Sequence, residues 1–570
     1  MNKELLFNNS YIDTEQFIRK YQGFVSHQFT HYFGFMEISE GDTKLLTYSN
    51  SEESYADLYY YKEVSEILSQ ANLVEAEITE KENIIRFYNM VINEVLRKLK
   101  NKISFFKKNQ LLTVMYCIAS YIAELHARMN QILHNKNNVE HFKKVNSDYD
   151  EFEYSILKKV ELEKGSTRSR ATLETIKGVD KSFIQYLFPI IDTTNYLDSH
   201  HFEFTPDNFE EIYYLGVMIN RLITDREIVT SKFVGNNKVR VQNSRIELSP
   251  DIQERFLNYI EKTAVESLAK NESVPDWLIQ KLDQNFYKKL GFSLATLEKF
   301  ILNNNAIFKD NSLARLFEKN TLVYTIIQQA KCSEEEAKKM LSFLTATIPD
   351  SSDFYLQTID RYSNRIFENP LVSIDLHIQG LQFYLLSYPL LIHAYEILYR
   401  KLIYNLIPEC QDTNSELIEK TLKKEHVHDT AAIVSKYAKK YQEHVQDFVI
   451  NKESKQKKVH LTREIDLLAI ANGKLFVIEC KYLTFRYTSY GIRIEIDNII
   501  GHIKNMNKKL TELELRKNEI EQYFNCTYSE VVPAIVYKHY PAAIESMIRT
   551  ENVTLLSIGT FEKWFRLKSK

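Results

Sequence analysis

Two aliphatic runs flank an Asn-Gly dipeptide in REIDLLAIANGKLFVIECKY, residues Arg463 to Tyr482. Asn-Gly between apolar runs is the strongest short signal for a β-hairpin, because both central positions of a type I′ turn require positive φ. A two-residue turn at Asn472-Gly473 also fixes the register. Ala471 then faces Lys474, Leu468 faces Val477, and Asp466 faces Glu479. Side chains alternate along a strand, so Glu464 and Asp466 share a face, and Glu479 and Lys481 point the same way. The hairpin thus sets two carboxylates against each other between LLAI and LFVI runs that are aliphatic on both faces. Opposed like charges destabilise a sheet unless a proton or a divalent cation relieves them.

A divalent cation accounts for the whole group. The oxygens of Asp466 and Glu479 suit Mg2+, with Mn2+ as a substitute, and leave ligand positions for water and a phosphate oxygen. The backbone carbonyl of Cys480 is an additional oxygen that any residue type would supply. Lys481 projects beside the pair, where an amine can orient or deprotonate an attacking water or stabilise charge developing on phosphorus. A plainer reading competes. In the same register Glu464 faces Lys481, a cross-strand ion pair worth under ~1 kcal/mol, and Asp466 and Glu479 would sit at a charged, exposed edge. The aliphatic surroundings argue against exposure, and the expectation is a site.

These residues resemble the active-site hairpin of the PD-(D/E)xK nuclease superfamily, the restriction-endonuclease-like fold. That family carries an Asp on one strand and an (Asp/Glu)-x-Lys on the next. Around the hairpin, SELIEKTLKKE and TAAIVSKYAKKYQEHV read as helices and QDFVIN as a short strand. After it come a helix in EIDNIIGHIKNMNKKLTELELRKNEIEQYF, a strand in VVPAIVYK, and a closing strand and helix in NVTLLSIGTFEKWF. The resemblance implies an α/β domain over residues 411–570 with an α-β-β-β-α-β core. It implies metal binding on Asp466 and Glu479, the catalytic lysine role for Lys481, and nucleic acid as substrate, DNA ahead of structured RNA. The Pro that usually precedes the Asp is Ile465 here. Members often add an acid on the helix before the sheet, for which Glu416, Glu419, Glu425 and Glu443 are the candidates.

In the helix after the hairpin, Ile496, Ile499, Ile503, Met506 and Leu510 form an apolar face, with Asn498, His502, Asn505 and Lys509 as an adjacent polar stripe. Asn498, His502, Lys504, Lys508 and Lys509 are the expected nucleic-acid-binding residues, joined by the lysines between Lys452 and Lys458. A solvated, lysine-rich surface would look the same. From Lys401 onward there are 27 Lys and Arg against 22 Asp and Glu, whereas the whole chain carries −3. The C-terminal part is therefore the better match for a polyanion.

Upstream, residues 1–350 read as a mainly helical region with a sensing or recognition role, open to a protein or small-molecule trigger. ENIIRFYNMVINEVLRKLKNKI and LLTVMYCIASYIAELHARMNQIL have helical periodicity, and PDWLIQKLDQNFYKKLGFSLATLEKFILNN reads as two helices broken at Gly291. KFVGNNKVRVQNSRIEL reads as two β runs separated by Gly-Asn-Asn. Residues 351–410 form a β interlude, in which Val372, Ile374, Leu376 and Ile378 alternate, and a long connecting helix. PECQDTNS, Pro408 to Ser415, is the expected linker. A multidomain chain follows, as 570 residues allow.

Five separated cysteines make neither a disulfide framework nor a zinc site. HVHD (His426, His428, Asp429) and SHHFEF (His200, His201, Glu203) lack partners at zinc spacing. There is no P-loop or GxGxxG, the stretch MNKELLFNNSYIDTEQF lacks the apolar core expected of a signal peptide, and no apolar run reaches the ~20 residues that span a bilayer. The expectation is a soluble cytoplasmic protein with no membrane partner, open to homo-oligomers. Its build resembles stand-alone restriction or anti-phage nucleases. The alternative is a catalytically inactive nucleic-acid-binding or interaction module, against which the intact Asp466, Glu479 and Lys481 argue.

Overall fold

The computed structural model describes residues 35–40, 43–48, 55–133, 187–197, 206–230, 238–247, 274–304, 314–346, 366–378, 380–403, 405–452, 455–482, 489–538 and 552–569, with a few isolated residues elsewhere. It is a mixed helix and sheet protein. The described residues up to Cys410 form one compact unit and those from Gln411 onward a second.

In the first unit, helices α1 (Tyr55–Gln70), α2 (Lys81–Ile103), α3 (Lys108–Leu133) and α4 (Pro206–Val229) are the main elements. Ile84, Phe87, Val91, Val95 and Leu99 recur at helical spacing along one side of α2 and are buried, in the helix that packs on α4. Each such side chain stabilises the unit by roughly 1.5–3 kcal/mol over leaving it exposed. β1 (Phe35–Glu40) and β2 (Thr43–Tyr48) pair with each other. β3 (Ala76–Thr79), β4 (Lys238–Gln242) and β5 (Arg245–Glu247) form an antiparallel sheet. Its β4–β5 turn is Asn243-Ser244, with φ of 51° and 55°. Gly235-Asn236-Asn237, the expected turn, lies outside the described residues. Asn243 tolerates positive φ, and this turn leaves Val239 and Val241 buried together.

Helices α5 (Asp276–Leu290) and α6 (Leu294–Asn304) are separated at Gly291, whose φ of 79° ends the first. β6 (Arg315–Glu318) leads into α7 (Lys319–Ala330) and α8 (Glu334–Leu344). The β interlude contributes β7 (Val372–Ile374) and β8 (Phe383–Leu386), which pair antiparallel. The alternation from Val372 to Ile378 yields only a three-residue strand. Asp375 Oδ1 accepts from the His377 N–H at 2.7 Å, and His377 takes φ of 56°, which turns the chain out of the strand. Helix α9 (Tyr388–Ile403) follows.

PECQDTNS is not an open linker. Pro408–Cys410 is a single 3-10 turn, and helix α10 (Gln411–Ile418) starts at once. After a π-helical stretch, Glu419–Lys423, helix α11 (Lys424–Ser435) ends well short of Val445. KYQEHV, expected in that helix, belongs to β9 (Lys440–Lys452), which pairs with β10 (Lys455–Ala471). Burial of Val445, Phe448 and Ile450 in the sheet outweighs the helical pattern of the segment. β11 (Lys474–Lys481) closes the hairpin, and helices α12 (Ser489–Leu515) and α13 (Lys517–Phe524) follow. β12 (Glu530–Tyr537), β13 (Thr554–Ser557) and helix α14 (Ile558–Lys568) complete the unit.

The five strands lie in the order β13-β12-β11-β10-β9. β9, β10 and β11 are antiparallel neighbours, while β11, β12 and β13 run parallel. A parallel step needs a crossover, and α12 with α13 lies in the connection from β11 to β12. Leu467, Ala469, Phe476 and Ile478 pack with Val427, Ala431 and Val434 of α11 and Phe561 and Phe565 of α14. Leu468 and Val477 are equally buried and, by strand alternation, point to the other face. There Ile496, Ile499, Met506 and Leu513 of α12 are buried. No helix among the described residues is long and apolar enough to cross a membrane.

Candidate active site

The hairpin register is the one that Asn472-Gly473 dictates. Asn472 and Gly473 take φ of 48° and 69°, and the ladder runs from Ala471 opposite Lys474 to Leu467 opposite Ile478. One step further, main-chain N–H groups meet the carboxylates of Asp466 and Glu479. The Asp466 N–H points at Glu479 Oε1 (3.4 Å), and the Cys480 N–H donates to Asp466 Oδ2 at 2.8 Å. Asp466 and Glu479 are only 2% and 3% exposed, so the charged-edge alternative does not hold.

Two buried carboxylates need compensation, since an unpaired buried charge costs several kcal/mol. The cross-strand pair between Glu464 and Lys481 does not form. Glu464 meets His444 instead, at 2.6 Å. Lys481 Nζ donates to Glu479 Oε2 at 2.8 Å and lies 3.6 Å from Asp466 Oδ2. A second ammonium arrives from α12: Lys509 Nζ donates to Glu479 Oε1 at 2.5 Å and to the Glu464 carbonyl. Two acids and two lysines balance. Burial by itself would lower the Lys481 ammonium, but the charges of Glu479 and Asp466 and the hydrogen bond to Glu479 outweigh it and hold the group above its usual range. Lys481 is therefore protonated throughout the physiological range.

The strand entering the site is bulged. β10 advances from His460 to Ile465 while β9 advances only from Asp447 to Val445. Bulges re-aim side chains next to functional sites, and α12 holds this one from three places. Glu512 accepts from the Thr462 N–H (2.8 Å), Asn505 from Arg463 (2.8 Å), and Lys509 reaches the Glu464 carbonyl.

The expected nucleic-acid residues on α12 separate into two groups. Asn498, Lys504 and Lys508 are exposed. Lys509 is 9% exposed and belongs to the acid pair. It lies three residues after Met506 and four before Leu513, both of which the structure buries. His502 is half-buried, its Nδ1 3.4 Å from the Tyr537 hydroxyl. Burial, and then the Lys481 charge, push the imidazole down to about 4, so it is neutral at pH 7. Of the lysine run, Lys457 pairs with Glu519 (2.6 Å) and Lys458 with Asp447 (3.5 Å).

Among the candidates for an added acid, Glu416, Glu425 and Glu443 do not join the pair. Glu416 is exposed and bonded to Lys420, Glu425 is exposed, and Glu443 lies on strand β9 opposite Leu467 rather than on a helix. The side chain of Glu419 lies outside the described residues. HVHD does not converge on one point. His426 is buried with Nε2 3.0 Å from the Val536 carbonyl, Asp429 binds Lys538 at 3.0 Å, and His428 is exposed. His200, His201 and Glu203 lie outside the described residues. Among the described residues no three His, Cys, Asp or Glu side chains gather as a ligand set.

The donor chemistry of the acid pair suits a hard cation. The Asp466 carboxylate supplies hard oxygens, of which Oδ2 accepts from the Cys480 N–H and lies 3.6 Å from Lys481 Nζ. Glu479 offers two more oxygens, each held by an ammonium. The Cys480 main chain is fixed beside them by its bond to Asp466, with its carbonyl as a further oxygen. The Cys480 thiol is turned to Thr430 at 3.4 Å, and burial, then the Asp466 charge, push it up beyond the usual thiol range, so it is inert. No family model, curated protein or solved structure matches the chain.

Proposed function

We propose that the chain is a metal-dependent nuclease, hydrolysing phosphodiester bonds at Asp466, Glu479 and Lys481. One observation carries this reading. Two carboxylates are buried side by side on adjacent strands, next to the aliphatic LLAIA and LFVI segments of the hairpin, with a lysine beside them two residues beyond the second. Asp466 and Glu479, with the Cys480 carbonyl, would hold Mg2+ or Mn2+. The cation supplies Lewis acidity toward a phosphoryl oxygen and acidifies a bound water.

The residues of the chain do the remainder. Lys481, beside both carboxylates, stabilises negative charge building on phosphorus. The Cys480 N–H fixes the Asp466 carboxylate, and the bulge tied to α12 fixes the strand that carries it. Exposed Asn498, Lys504 and Lys508 on the same helix supply contacts to the phosphate backbone. The helix, three strands, helix and strand of the second unit support a restriction-endonuclease-like fold. Through that resemblance DNA is favoured over structured RNA, with the helical first unit recognising the target or a trigger in restriction or anti-phage defence.

One observation favours a second reading. Lys481 and Lys509 balance the two acids without a cation, which also suits a nucleic-acid-binding module without catalysis. Incubation of the full chain with plasmid DNA and total RNA in Mg2+ or Mn2+ separates the two. The nuclease cuts, and Asp466→Asn and Lys481→Ala do not. Wild type inert on every substrate and non-toxic in cells, with both variants keeping full biological activity, would establish the second reading.

A further inference from the structure

Lys509 stands where a phosphate-tracking lysine would not. It is rooted on the buried side of α12, its ammonium is almost wholly enclosed, and both of its acceptors, Glu479 Oε1 and the Glu464 carbonyl, belong to the hairpin. Lys481 is more open and takes the other oxygen, Glu479 Oε2. The two ammoniums therefore bracket one carboxylate from opposite oxygens.

We propose that Lys509 is a positioning residue that sets the metal affinity of the site by competing with a divalent cation for Glu479 Oε1. The proposal rests on the nuclease reading above and adds a control on it. Without a cation, Lys509 and Lys481 together balance the two buried acids. A cation that takes Glu479 Oε1 takes it from Lys509, and the ammonium keeps the Glu464 carbonyl as its remaining acceptor. A positive charge fixed this close also repels the incoming cation, strongly so in a poorly solvated site. Weak metal binding is thereby built into the site, and phosphate oxygens of a bound substrate would add the negative charge that tips the balance.

Calorimetric titration of the full chain with Mn2+ alone tests this on wild type, Lys509→Met, Lys509→Gln and Lys509→Arg. Met and Gln remove the charge, and Gln keeps a donor for the Glu464 carbonyl, so it carries the test if the Met variant does not fold. Both are expected to bind Mn2+ on the order of tenfold more tightly than wild type, because a repelling charge is removed, with Arg close to wild type. A residue that merely braced the helix would give unchanged or weaker binding in Met and Gln, and that result overturns the proposal while leaving the nuclease reading intact. Wild type and all variants failing to bind Mn2+, with no cleavage by wild type, would overturn both.

Discussion

Cys480 donates its main-chain N–H to Asp466 Oδ2 at 2.8 Å, where the regular ladder of the hairpin has ended. The carboxylate thus has a structural duty besides its proposed chemical one. Asp466→Ala leaves a buried N–H without an acceptor, a loss of about 1–3 kcal/mol. Asp466→Asn also removes one of the two charges that balance Lys481 and Lys509 but keeps an acceptor, so it is expected to be destabilised less than Ala in urea while losing cleavage. Equal destabilisation by Ala and Asn would show that the N–H bond does not matter.

Gly473 has φ of 69°, and a Cβ placed there would meet nothing within 4 Å. Gly473→Ala therefore costs only backbone strain, about 1 kcal/mol. A much larger loss in thermal or urea unfolding would indicate that the turn packs against something else.

His502 is held neutral down to about pH 4, against 6.5 for the unfolded side chain. The unfolded chain takes up a proton that the folded chain refuses, so this contribution is complete above pH 6.5 and is lost as pH falls from 6.5 through 4. His502→Gln removes that dependence. Urea unfolding at pH 7 and pH 5 should show a smaller drop in stability for the variant than for wild type. Equal drops would place the ring in a more open setting.

Lys504 and Lys508 project from the exposed side of α12. Replacing both with Ala should weaken binding to duplex DNA of any sequence and reduce the slope of log affinity against log salt by roughly 2. An unchanged slope would move the phosphate contacts away from this helix.

Local rules made the hairpin legible. Asn472-Gly473 determines turn and register together, and the register puts Asp466 and Glu479 side by side. Helices with strong periodicity, such as Lys81–Ile103, were equally readable. Two kinds of feature were not. The span Lys440–Val445 reads as helix because its apolar residues fit a helical stripe, and only the long partner strand beside it decides for β9. The role proposed for Lys509 depends on a contact across thirty residues of chain with Glu479, and a lysine on a helix reads as solvated until its neighbours at Met506 and Leu513 are known to be buried. The bulge between His460 and Ile465 leaves no comparable mark in the sequence, since neither Gly nor Pro occupies it.

The most direct test of the central claim is an anomalous-scattering map from crystals of the full chain grown with Mn2+. The account predicts a peak between Asp466 and Glu479, about 2.1 Å from a carboxylate oxygen of each. Density showing the acid pair bonded only to Lys481 and Lys509 at saturating Mn2+, with no peak there, would contradict it.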